Sequence, residues 1–119
     1  MLQTLTTPRG ETLSGTPWQV YPRPPMRRDS YINLNGEWDF AVSSGKPETF
    51  DMRITVPFCP ESRLSGIGRH FEEGAPLWYR RRFLLPEGFR RKRVLLHIGA
   101  ADQIAEVFVN GQYLCRHEG

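Results

Sequence analysis

The sequence predicts an all-β fold of short strands, and three observations lead there. Ten prolines and eleven glycines in 119 residues cut the chain into pieces too short for long helices. Several pieces alternate apolar with polar residues, or are brief apolar runs rich in β-branched side chains. Asn110-Gly111 stands between two such runs, and a type I′ hairpin turn needs positive φ at both central residues, which these two residues adopt readily. The pattern gives six strands and no helix, as in a sandwich or barrel.

In chain order, residues 1–30 form an arm, polar and rich in threonine at its start, and residues 31–119 form the domain. Within the arm, Trp18–Tyr21 adds an edge strand at most, because Pro22, Pro24 and Pro25 stop any ladder. Leu34-Asn35-Gly36 turns into a strand in which Trp38, Phe40 and Val42 alternate with Asp39 and Ala41. Ser43–Thr49 is a surface loop, and Met52–Val56 is a strand ended by Pro57. A long loop, PFCPESRLSGIGRHFEEGAP, follows; loops of this length in a compact domain are usually functional or mobile. Leu77–Leu85 is the longest strand, with Leu77, Tyr79, Phe83 and Leu85 on one face and Arg81 as the exception. A bulge or a paired arginine accommodates it. Val94–Ile98, Ile104–Val109 and Gln112–Arg116 complete the set. Phe108 makes the second face of Ile104–Val109 partly apolar, so both faces are expected to be at least half covered.

Composition allows one domain with a core: 39% of residues are hydrophobic and 12% aromatic. The net charge of +3 and a pI of about 9.2 are only mildly basic. No apolar run approaches the roughly 20 residues a membrane-spanning helix needs. MLQTLTTPRGETLSG has neither the basic flank nor the apolar stretch of a secretory signal, which points to a cytoplasmic protein. Cys59 and Cys115 are therefore expected to be free thiols.

Five stretches in a fixed order resemble one known family. They are LNGEWDF, ITVPFCPES, LWYRRRF, the apolar strand and Gly-x-x-Asp turn of Val94–Asp102, and VFVNG followed by HEG. The set resembles the N-terminal sugar-binding domain of glycoside hydrolase family 2, which includes β-galactosidases, β-glucuronidases and β-mannosidases. The resemblance implies a jelly-roll sandwich of the galactose-binding type. It also implies that further strands follow the His-x-Gly, so that a chain stopping at Gly119 holds the domain incomplete at its C-terminal end.

Glycoside hydrolysis needs two carboxyl groups across one sugar. Glu72 and Glu73 are adjacent and solvated, and Glu61, Glu106 and Glu118 lie on separate elements. In the family, both catalytic glutamates belong to a later (β/α)8 barrel, so no catalytic residue is assigned here. The loop Pro57–Gly68 is the best functional segment: in the family it lies at the junction with that barrel. In some β-galactosidases an amide side chain of this loop contacts sugar, and Arg63 occupies that position here. Glu61, Ser62 and Arg63 are the candidate sugar contacts, through directional bonds to hydroxyls. A domain-interface role for the loop ranks ahead of direct contact.

Trp38 and Trp78 belong to strand packing, and Trp18 is the one exposed stacking candidate. Cys115-x-His117 lacks a second pair of zinc ligands, and His70 and His97 lie apart from it, so no metal and no cofactor is expected. No Gly-x-Ser-x-Gly marks a nucleophile. Arg80–Arg82 and Arg90–Arg93 are the basic clusters. Arg80 and Arg82 share a face that Arg81 opposes, and near-balance of charge argues against nucleic acid. The expected protein is a non-catalytic fragment of a retaining β-glycosidase, inactive alone. Its partners are a carbohydrate, bound through the parent enzyme, and the missing catalytic barrel. The alternative is a free-standing jelly-roll carbohydrate-binding module.

Overall fold

The computed structural model describes residues 7–16, 19–21, 23, 25–26 and 28–119. It divides into two compact units, one up to Leu84 and one from Leu85 to Gly119.

In the first unit, β1 (Gly36–Val42) is the central strand of an antiparallel sheet, between β2 (Met52–Val56) and β3 (Leu77–Arg80). Alternation sorts the side chains from Trp38 to Phe40 as the sequence predicts, whereas at the strand's end Ala41 is buried and Val42 exposed. Trp38 faces Ile54, and Phe40 faces both Met52 and Tyr79, all on one side. Phe40 and Ile54 are fully buried there. The Phe40 ring packs edge-on against Tyr79 at 5.1 Å and tilted against Phe71 at 5.7 Å.

The other side carries charge. Asp39 lies opposite Arg53 on β2 and Arg80 on β3. Arg53 Nη1 donates to Oδ1 at 2.6 Å, while Arg80 Nε and Nη2 reach Oδ2 at 2.9 and 2.8 Å. Arg80 also lies 4.0 Å over the Phe50 ring.

The third strand is shorter than the sequence predicts, ending at Arg80 instead of Leu85. Arg81 lies just past the stop. It needs no bulge, because its guanidinium donates to the carbonyls of Leu34 (2.7 Å) and Asn35 (3.0 Å) at the entrance to β1. Trp38 Nε1 donates to the same Leu34 carbonyl at 2.7 Å. Gly36 has φ +121°, and a Cβ there would lie 3.3 Å from Arg81 Nη1. Beyond Arg80 the apolar side chains are not buried: Leu84 is 93% exposed. Arg80 and Arg82 therefore share no basic strand face; Arg80 belongs to the Asp39 cluster and Arg82 lies past the strand.

The arm holds a helix that the sequence reading leaves out, α1 (Pro8–Thr12). Thr7 caps it by accepting from Gly10 N at 3.1 Å, and Pro8 opens it. Five residues are too few to show a helical period. Trp18 lies outside the described residues, and no strand forms over 19–21.

In the second unit, β4 (Ile104–Val109) and β5 (Gln112–Glu118) form a hairpin. Asn110 (φ 52°) and Gly111 (φ 78°) take the type I′ signs expected of them. Val107 pairs with Cys115 and Phe108 with Tyr113, so Leu114 is an extra residue in a bulge. Phe108 and Tyr113 rings meet edge-on at 5.5 Å.

One expectation fails here and another holds only in part. Val94–Ile98 enters no ladder and its apolar side chains are exposed; an apolar run records a demand for burial, not the identity of a hydrogen-bonding neighbour. The second face of β4 is covered unevenly, Ile104 being 59% exposed and Phe108 45%. A lone hairpin offers one partner strand and no opposing layer.

Candidate functional site

The loop after β2 is organised by a residue that the sequence reading passes over. Ser65, 1% exposed, starts from a 3₁₀ turn over Arg63–Ser65. Its hydroxyl lies 2.7 Å from the Ser62 carbonyl and 3.2 Å from that of Pro60, and accepts from Ile67 N at 3.0 Å. Arg69 N returns to the Pro60 carbonyl at 3.2 Å, closing the loop on itself. Gly66 ends the turn in the left-handed region at φ +84°.

The three candidate residues diverge from there. Ser62 caps the turn, its hydroxyl accepting from Ser65 N at 3.2 Å. Glu61 points away toward His70, 3.6 Å from Nδ1. The phenol of Tyr79 is raised above its ordinary value, by burial first and then by the charges of Glu61 and Cys59. Arg63 alone lines a cleft, of about 520 Å³.

That cleft belongs entirely to the first unit. One wall is Phe58 and Leu64, both half-buried, with Phe58 N tied to the Thr55 carbonyl at 3.1 Å. Its lining includes Glu37 and Thr55, a facing cross-strand pair of β1 and β2. The arm supplies Glu11 and Thr16. Glu37 lies 3.5 Å from Arg53. The Arg63 guanidinium has no partner among the described residues. Nothing in the local sequence marks Glu11, Thr16, Glu37 or Thr55, because only the tertiary fold brings them together.

Other candidate chemistry stays dispersed. Glu72, Glu73, Glu106 and Glu118 are exposed. Cys59 and Cys115 are exposed free thiols. His117 Nε2 lies 2.9 Å from the Gly119 carbonyl. Among the described residues no three His, Cys, Asp or Glu side chains gather as a metal site would require, and no helix is long and apolar enough to cross a membrane. Trp38 and Trp78 serve packing, the Trp78 indole donating to the Ser43 carbonyl at 2.9 Å.

An antiparallel all-β chain with a loop-walled cleft is thus the class that fold and site define. Over 42 residues, 35% of the chain, the sequence is 36% identical to a β-galactosidase of Thermoanaerobacter pseudethanolicus (strain ATCC 33223 / 39E). The matched stretch is 6% of that enzyme's length. No family model matches the chain.

Proposed function

We propose that this chain is the N-terminal sugar-binding domain, in part, of a family 2 glycoside hydrolase, with residues 1–30 as its arm and 31–119 as a jelly-roll sandwich. The observation that carries the reading is the order of the family-like motifs, together with the partial identity to a β-galactosidase. The domain is non-catalytic and positions a separate barrel that bears the two glutamates. The carbohydrate is met through that parent enzyme, with Glu61, Ser62 and Arg63 as the loop's candidate contacts. Two exposed thiols favour a reducing, cytoplasmic setting. The free-standing binding module stays in view because the whole cleft lies within residues 11–66.

The test is expression of the complete gene beside the 119-residue chain, with chromogenic β-galactoside, β-glucuronide and β-mannoside substrates. The gene product should hydrolyse one of them and the chain alone none. Turnover by the chain, abolished by a single Glu→Gln change, would overturn the non-catalytic role. A gene that encodes no glutamate-bearing barrel would remove the family reading.

A further inference from the structure

We infer that the outer edge of β5 pairs antiparallel with β5 of a second copy of this chain, with His117 on the two-fold axis. This contact goes beyond the function proposed above and does not depend on it.

The hairpin leaves that edge open. β5 has β4 on one side and no strand on the other. All seven of its residues are exposed, whereas Ala105 and Val107 of β4 are half-buried. Edge strands are commonly guarded by proline, lysine or a bulge. β5 has neither proline nor lysine, and its Arg116 and Glu118 already answer each other at 2.7 Å. Its bulge at Leu114 lies toward the turn and leaves residues 115–118 in regular pairing.

Backbone direction chooses the residues that meet. Gly119 N–H donates to the Gln103 carbonyl at 2.9 Å, so Gly119 turns its hydrogen-bonding groups toward β4. Antiparallel ladders alternate, so His117 does the same, and the N–H and C=O of Arg116 and Glu118 point outward. A second β5 presents the same two residues, and side chains directly opposite each other share a face. Three registers match these outward groups. One sets Arg116 against the partner's Arg116, and another sets Glu118 against the partner's Glu118. The third sets Arg116 against the partner's Glu118 and Glu118 against the partner's Arg116, with two backbone bonds in each pair.

Charge selects the third register, because like charges directly opposite destabilise the other two. Glu106 stands opposite Arg116 on β4, 4.0 Å away. The row across the joined sheet therefore runs Glu106, Arg116, the partner's Glu118, alternating in sign. The same strand serves both copies, so the contact is isologous and closes as a dimer. It is small, at the weak and transient end of protein interfaces.

The test is sedimentation equilibrium of the 119-residue chain at pH 8, where histidine is neutral. A thiol reductant bars disulfide dimers through Cys59 or Cys115. A concentration-dependent dimer is expected. The Arg116 and Glu118 amides should gain protection from hydrogen exchange as concentration rises, while the His117 amide, already directed at β4, should not. R116E opposes carboxylates across the axis and E118R opposes guanidiniums, so each should weaken dimerisation about tenfold or more. Mixed in equal amounts, the two variants oppose unlike charges and should pair about as well as the wild type, which also shows that both fold. A chain that stays monomeric to millimolar concentration, or a mixture no better than its components, would overturn the inference. Dimerisation that survives both single reversals would move the contact to the hairpin's exposed apolar side chains, such as Ile104 and Phe108, and overturn it equally.

Discussion

Replacing Ser65 with alanine should loosen the cleft loop more than its single lost oxygen suggests. The hydroxyl is 1% exposed and serves three backbone groups. Without it, Ile67 N–H loses its acceptor, and an orphaned donor shielded from water costs about 1–3 kcal/mol. The Ser62 carbonyl suffers less, because Ser65 N still reaches it at 3.2 Å. A total of about 2–3 kcal/mol follows. S62A removes only the cap and should cost about 1 kcal/mol. Denaturant unfolding gives the overall loss, and amide hydrogen exchange locates it, with Ile67 and Arg69 exchanging faster in S65A while Trp38 and Ile54 do not. A change below about 0.5 kcal/mol, with the Ile67 amide as protected as before, would refute the view that this hydroxyl organises the loop.

Three further outcomes are expected. D39A should cost about 1–2 kcal/mol, since both arginine partners are partly exposed. Double-mutant cycles should assign more coupling to Arg80 than to Arg53, and zero coupling in both would dismiss the cluster as ornament on the sheet. G111V should cost more than about 1 kcal/mol because Gly111 sits at φ 78°, whereas G45V, in open space, should cost less; equal costs would deny the turn its special demand. The Tyr79 phenol should titrate above 10.0, and E61Q should lower its midpoint by removing a nearby negative charge. Because the folded state holds this proton more tightly, the contribution to stability is present below about pH 10 and fades as pH rises toward the raised value. An ultraviolet titration in which wild type and E61Q coincide would exclude the electrostatic contact.

What the sequence made legible was what depends on near neighbours. Trp38, Phe40 and Val42 carry their alternation in plain view, Pro57 punctuates β2, and Asn110-Gly111 dictates its own turn. What stayed hidden depends on distant partners. LWYRRRFLL reads as one strand until Arg81 turns out to serve carbonyls at residues 34 and 35. Val94–Ile98 shows strand composition but has no laddered neighbour. At the candidate site, the loop stood out by its prolines and glycines, yet Ser65 looked like any polar loop residue. Of Glu61, Ser62 and Arg63, only the last lines the cleft, a division set by where the chain enters the 3₁₀ turn rather than by residue type.

Asp39 has one more consequence, which concerns alignment. Its carboxylate meets an arginine on each flanking strand, and both arginines stand directly opposite it in their ladders. If either outer strand slid by one residue, its arginine would turn to the side that buries Phe40, and Ile54 or Tyr79 would leave that side for water. The penalty arises on both faces at once, so neighbouring alignments are far from competitive. The connection between β2 and β3, residues 57–76, is thereby relieved of setting the alignment of the strands it joins. Lengthening a loop costs little entropy, about 0.6 kcal/mol per doubling. Outside the hydrogen-bonded segment from Pro60 to Arg69 and Phe71, that stretch is free to gain or lose residues while the sheet beneath keeps its pairing.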